Sequence, residues 1–393
     1  MGVLDDKDPT GAARLKEWAD GLRELPPGTP PTFECQRMIH PGMVPANGDG
    51  LLATEGQGLL EVPGEHIQSV TILHYMRAGS PSEQFDTVGR DAMIGALLTL
   101  VTDRRCQVVP EVMARVEGQE HAFALPLAGA VDTHLGAPMP DWPQVDAAFR
   151  DAVARLTSLG DDDMRALSAA IHMHYCASLL TTRDLVGAYA LMVGGIECLA
   201  QQFGSPPTEW ADWDESASWE KFIARQDFTQ AQAAALRGRL MKDKHIKLAE
   251  TFATYAMTRL PAGFWREPVR SYIWGVDAMS ARPREGSWSD PQPRGTVFAD
   301  DPAVLKAAFK TAYKLRSQFL HAGKRAISFA GDVFATAVAA DRPAGESPRL
   351  SAAQLRAVLR SLILQELNDR GRTDPRGLGR NHGRYGLDAT VLS

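Results

Sequence analysis

The stretch YKLRSQFLHAG, residues 313–323, sets an arginine and a histidine with four residues between them in an otherwise apolar helical pattern. The two side chains complement one another chemically. An imidazole changes charge near neutral pH and can move a proton, and a guanidinium offers a planar fork of donors to an anion. The spacing alone carries little. Five of the ten histidines follow an arginine with four to six residues between, the other pairs being Arg115 with His121, Arg165 with His172, Arg239 with His245, and Arg376 with His382. From 32 arginines in 393 positions, about 2.4 of ten histidines would match by accident.

Context separates the five. RVEGQEH and RGLGRNH contain glycines and lie outside any helical pattern. At about 100° per residue, residues 302–323 place Leu305, Phe309, Ala312, Tyr313, Phe319 and Leu320 on one broad apolar face, with Arg316 near its centre. Lys306, Lys310, Lys314, Ser317 and His321 fall on the adjoining polar side and form a basic stripe. An arginine among apolar neighbours is costly without a partner, so an acid or a cleft is expected beside it. Glu197 is the sole charge in residues 185–200, and a Glu197 to Arg316 contact is predicted. The alternative is that Glu197 reaches water from the end of its helix. For His321 the alternative to catalysis is a solvated histidine near a helix end, favoured by the macrodipole. Arg239 with His245 reads as a charged helix face. His172 and His174 point to nearly opposite sides of a helix and read as packing residues, and Trp210, Trp213 and Trp219 read as local core or lid.

The elements that must position these residues change character along the chain. Residues 30–145 are rich in Gly and Pro, with short apolar stretches such as SVTILHYM and HAFALPLAG. In the second of these, Phe123, Leu125 and Leu127 alternate as a half-buried strand would. DAMIGALLTLVTD suits helix or strand, and GAARLKEWADGLREL suits a helix. From Asp161 onward the pattern is helical, with Asp161, Asp162 and Asp163 expected to supply capping and first-turn charge. TQAQAAALRGRLMKDKHIKLAETFATYAM reads as one long helix stopping at Pro261. Asp301 and Pro302 mark a helix start, and Ser351 with Gln354 has capping-box spacing ahead of an apolar stripe. The expected fold class is α+β in two domains: a mixed α/β sensor or regulatory domain over residues 1–155, containing β structure, and an all-α bundle over 156–370. An Arg- and Gly-rich tail follows over 371–393, read as flexible, with an RNA-contacting arm as the alternative.

The composition narrows the classes. At 393 residues with 44% hydrophobic and 23% charged positions, the chain suits two soluble domains. Cys35, Cys106, Cys176 and Cys198 are far apart, without a Cys-x-x-Cys spacing, and a reduced, cytoplasmic setting is expected. The apolar run 185–200 is shorter than the roughly 20 residues needed to span a bilayer, so no membrane partner is expected. A net charge of −6 argues against indiscriminate coating of nucleic acid.

On YKLRSQFLHAG, and on YALMVGGIECLA with its glutamate, the chain resembles the HEPN superfamily, more specifically its Apea-like branch in bacterial anti-phage defence. The likeness covers roughly residues 160–370. Members often place glycine directly after the histidine, whereas here Ala322 precedes Gly323. The resemblance implies a homodimer through the helical bundle, in which two Arg and His pairs share a cleft and cut RNA without a metal or other cofactor. In that setting Arg316 and His321 are the catalytic candidates. His321 would exchange protons with the ribose 2′-hydroxyl or the leaving oxygen, and Arg316 would hold the scissile phosphate. Ser317 and Glu197 would support them, and Lys306, Lys310, Lys314 and Lys324 would steer the RNA backbone. The implied role is an abortive-infection or toxin-like effector gated by a phage-derived or nucleotide trigger at the N-terminal domain. The competing reading is a non-catalytic dimerisation scaffold that binds RNA or a partner protein.

Overall fold

A computed structural model describes residues 10–26, 37–41, 51–62, 66–75, 88–104, 106–109, 142–181, 184–243, 245–271, 294–322, 347–373 and 378. These residues divide between two compact units. One comprises Met1–Ala130, Pro138–Leu159 and Gly371–Ser393, the other Val131–Ala137 and Gly160–Arg370.

The first unit corrects the expected fold class. Where side chains as well as backbone are described, the chain is almost entirely helical, which overturns the expected β-containing N-terminal domain. The core here lies on three helices: α1 (Ala12–Glu24), α2 (Val88–Thr102) and α3 (Trp142–Thr157). Leu15, Trp18, Ile94, Leu97, Phe149 and Val153 are buried on them. The ambiguous run DAMIGALLTLVTD is α2. Its Ala, Met and Leu content favours helix over strand, and its apolar residues are buried along their length. Backbone ladders join four antiparallel strands, β1 (Arg37–Pro41), β2 (Leu52–Val62), β3 (His66–Tyr75) and β4 (Gln107–Val109), in the order β2-β3-β1-β4. These ladders do not replace the helical core, to which this stretch adds Leu51 and Leu52. The alternation at Phe123, Leu125 and Leu127 lies outside the described residues.

Two local features fix this unit. Gly11 caps α1 in the left-handed region, with φ 76°, and a β-carbon there would stand 2.0 Å from the Gly89 carbonyl oxygen. Only glycine lets the starts of α1 and α2 approach so closely. The chain also returns here after the second unit. The Arg372 amide donates to Ser158 Oγ at 2.8 Å, and Leu378 is buried.

The second unit contains α4 (Asp161–Leu180), α5 (Leu185–Phe203), α6 (Ser216–Arg225), α7 (Gln230–Lys242), α8 (Leu248–Arg259), α9 (Pro302–Ala322) and α10 (Ala352–Arg370). A short antiparallel pair of β5 (Val269–Ser271) and β6 (Arg294–Thr296) lies between α8 and α9 in the chain. Helix α5 is central and packs on α4, α8, α9 and α10. At Gly195 a β-carbon would fall 2.9 Å from both δ-carbons of Leu359, so the missing side chain lets α5 and α10 close together. Ile196, Leu199, Phe252, Phe309, Leu359 and Leu362 fill the core.

The ends of α9 and α10 obey local chemistry, whereas α4 starts from Gly160 with no side-chain cap, so Asp161, Asp162 and Asp163 supply first-turn charge but not the expected capping. Asp301 Oδ1 accepts the Ala303 amide at 2.8 Å with Pro302 in the first turn, and Ser351 with Gln354 forms the reciprocal capping box at 3.1 and 2.9 Å. The single long helix expected from Thr229 onward is instead broken. Helix α7 ends at Lys242 and α8 begins at Leu248, with a 3₁₀ turn at His245–Lys247 between them. Lys247 explains the break: its buried ammonium donates to the carbonyls of Met241, at 2.7 Å, and Pro207, at 3.1 Å. The Met241 carbonyl, which a continuing helix would have paired, is satisfied by a side chain instead.

Candidate functional site

Helix α9 rests against α5 and α8, and each neighbour presents one buried acid to it. From α5 comes Glu197, 8% exposed. Its Oε2 lies 3.0 Å from Arg316 Nη1, and its Oε1 accepts Tyr313 Oη and Gln201 Nε2, each at 3.2 Å. The contact predicted between Glu197 and Arg316 is therefore present, and the carboxylate is also fastened by two neutral donors. Tyr313 belongs to the same cluster. Burial, together with the Glu197 charge and hydrogen bond, pushes its phenol up to about 12, so it acts as a donor at neutral pH.

Arg316 is not used up by this pair. Its Nε is buried and has no acceptor among the described residues, while its side chain as a whole is 23% exposed. A buried donor without an acceptor costs about 1–3 kcal/mol, so the guanidinium is held on one side and unsatisfied on another. An oxyanion reaching Nε would supply the missing acceptor. Ser317 is half-buried beside it.

From α8 comes Glu250, 4% exposed. It forms ion pairs with Lys306 and with Lys310, the latter at 2.5 Å, and Asp214 pairs with the same two lysines at 2.9 and 2.7 Å. Burial opposes ionisation of Asp214, but hydrogen bonds and charge from Lys310 and Lys306 outweigh it and hold the carboxyl at about 2. Lys306 and Lys310 thus do not form the free basic stripe that the helical wheel suggested. Two acids from other segments occupy them, leaving an α9 that is pinned there rather than strongly basic. Lys314, one turn on, is exposed and has no acidic partner among the described residues.

His321 falls in the last turn of α9, with its side chain outside the described set, as is the whole of Lys324. On a straight helix, positions five apart diverge by about 140°. The backbone therefore carries Arg316 and His321 on one helix but on different sides of it.

The remaining residues take structural roles. His172 Nε2 lies 3.4 Å from Cys176 Sγ on α4, and burial lowers the histidine pKa and raises that of the thiol. Both groups are held in their neutral forms. His174 is fully buried, as is Trp213, which meets Trp210 edge-on. Arg239 is exposed on α7. Among the described residues no three His, Cys, Asp or Glu side chains gather as metal ligands, and no helix is long and apolar enough to cross a membrane.

Sequence reasoning missed Tyr313, Gln201, Asp214 and Glu250. For the first two a signal existed: Tyr313 precedes Arg316 by three residues and Gln201 follows Glu197 by four, the spacings that share a helix face. Comparisons with family models, with curated proteins and with solved structures yield no match.

Proposed function

We propose that the second unit carries a metal-independent endoribonuclease site, in which Arg316 binds the scissile phosphate and His321 transfers the proton. The single observation that carries this reading is the state of Arg316. Its guanidinium is oriented by a buried carboxylate, yet keeps a buried donor without an acceptor on a side chain that is itself partly exposed. Glu197, Tyr313 and Gln201 hold that orientation, and Lys314, with Lys324, attracts the RNA backbone. Lys306 and Lys310 are assigned to anchoring α9. Because Arg316 and His321 diverge around the helix, a site using both is most readily completed by the same pair from a second copy in a homodimer. The HEPN resemblance supplies the biological frame of a cytoplasmic anti-phage effector of the abortive-infection type, gated by a phage-derived or nucleotide trigger through the first unit.

The second reading, a non-catalytic scaffold of the same family type, draws on the acid-paired Lys306 and Lys310, which leave less basic surface for RNA. Full-length protein incubated with labelled RNA separates the two. Cleavage by the wild type and none by His321→Ala is the expected result. Equal cleavage by both would refute the site, and no cleavage by either under any trigger would favour the scaffold.

A further inference from the structure

Asp214 stands in an acidic stretch between α5 and α6. Residues 209–215 carry four acids, Glu209, Asp212, Asp214 and Glu215, and neither Lys nor Arg; the first bases that follow are Lys221 and Arg225 on α6. All four acids are exposed, while Trp213 between them is 1% exposed and fixes the stretch to the second unit. Its link to α9 is Asp214, whose Oδ1 accepts Lys306 Nζ at 3.0 Å and whose Oδ2 accepts Lys310 Nζ at 2.7 Å. One carboxylate thus bridges two ammonium groups with both oxygens engaged, as the two free oxygens of a phosphodiester would.

The two acids on these lysines are not equivalent. Glu250 is 4% exposed, and a carboxylate buried so deeply is costly to leave without a cation. Asp214 is 44% exposed, so it exchanges its lysines for water at little cost. Glu250 is therefore the tie that holds α9 to α8, and Asp214 is the anion that another anion can replace. Beyond Trp213 the chain is lightly held, since α6 buries only Ile223 and α7 only Ala233. Lys314 continues the row on α9. Lysines every four residues lie about 6 Å apart along a helix, close to the step between phosphates on an extended single strand. The row runs toward the last turn of α9, where His321 lies.

We propose that residues 209–215 act as an internal polyanion that keeps the RNA track of the second unit closed. Asp214 occupies Lys306 and Lys310 in place of an RNA phosphate, and its departure joins them to Lys314 in a continuous basic row. With Asp214 gone and Glu250 in place, the lysine pair keeps one net positive charge, enough for one more phosphate contact. The inference rests on the reading that this unit takes RNA, but it concerns binding and not cutting.

Binding of 2′-O-methyl oligouridylate to the full-length protein, followed by fluorescence anisotropy over a salt series, tests it. Without a free 2′-hydroxyl this probe cannot be cut by the proposed route. At about 0.1 M salt, Asp214→Asn should bind about fivefold tighter than the wild type, with the slope of log affinity against log salt steeper by about 0.7, as one more released counterion requires. Asp214→Ala should behave alike, and Asp214→Glu should bind as the wild type does. Adding Lys310→Gln to Asp214→Asn should remove the gain. An Asp214→Asn protein that is folded by circular dichroism and binds no tighter than the wild type would reduce the contact to a structural tie and overturn the proposal. So would a gain that survives Lys310→Gln. If neither wild type nor variant binds the probe, the RNA track itself falls. Unmodified RNA cut by the wild type, with no gain in Asp214→Asn, overturns the masking alone. Tighter binding without any cutting of unmodified RNA would uphold the masked track and count against the nuclease.

Discussion

Arg316 owes its place to one carboxylate, and the consequences can be tested at single residues. Glu197→Gln removes the charge opposite a partly buried guanidinium and should destabilise the second unit by about 1–3 kcal/mol, read as a lower denaturation midpoint. Tyr313→Phe removes one neutral hydrogen bond to the same carboxylate and should cost about 1 kcal/mol. If Glu197→Gln melts like the wild type, the pair does not hold Arg316. The Arg316–Glu197 pair was legible in the sequence because Glu197 is the lone charge in an apolar run and Arg316 the lone charge on an apolar helix face, and burial forces such charges together. The lysines were not, because a helical wheel shows which residues share a face but not what lies opposite. Asp214 and Glu250 come from segments distant in sequence, and they turn an apparent RNA-binding stripe into an anchor. Replacing Lys314 with Ala should therefore weaken RNA binding more than replacing Lys310, whose loss should show first as reduced stability. Filter binding beside thermal melting of the two variants compares these effects.

At the scale of elements, helix ends were the most readable feature, since caps depend on residues within a turn of each other. Ser351→Ala breaks the capping box of α10 and should lower stability by about 1 kcal/mol in chemical denaturation, with Ser351→Asp largely retaining it. What depends on distant contacts was hidden. The break between α7 and α8 is satisfied by Lys247, whose ammonium reaches back to Met241 and across to Pro207, and no local pattern announces that reach. The N-terminal half misled for a different reason. Its Gly and Pro content and short apolar runs suggested a β domain, whereas its packed core is carried by α1, α2 and α3. In DAMIGALLTLVTD every turn is apolar, so periodicity could not distinguish a buried strand from a buried helix.

At the scale of the molecule, ion-paired carboxylates tie the second unit to pH. Burial resists ionisation of Glu366, but hydrogen bonds from Arg259, Arg370 and Tyr255 outweigh it and hold its carboxyl below the usual range. Asp214 is held at about 2 against an ordinary 3.8. A carboxyl depressed on folding contributes stability above its unfolded pKa and loses it as pH falls through the folded value. Stability should therefore decline on acidification below the ordinary carboxylate range, and Asp214→Asn should make that decline shallower. Because Asp214 is 44% exposed, its share is at most about 1 kcal/mol after solvent screening. Asp146 in the first unit works the other way, since burial raises its carboxyl despite Arg150 and the Leu51 amide. We propose that Arg316 and His321 cut RNA through its own 2′-hydroxyl. The most direct test is the chemistry of the products when the full-length protein meets RNA in EDTA, wild type beside His321→Ala. Fragments ending in 2′,3′-cyclic phosphate from the wild type, reduced by about 10²-fold or more in the variant, are the predicted result. Cleavage that EDTA abolishes, or that His321→Ala leaves intact, would contradict it.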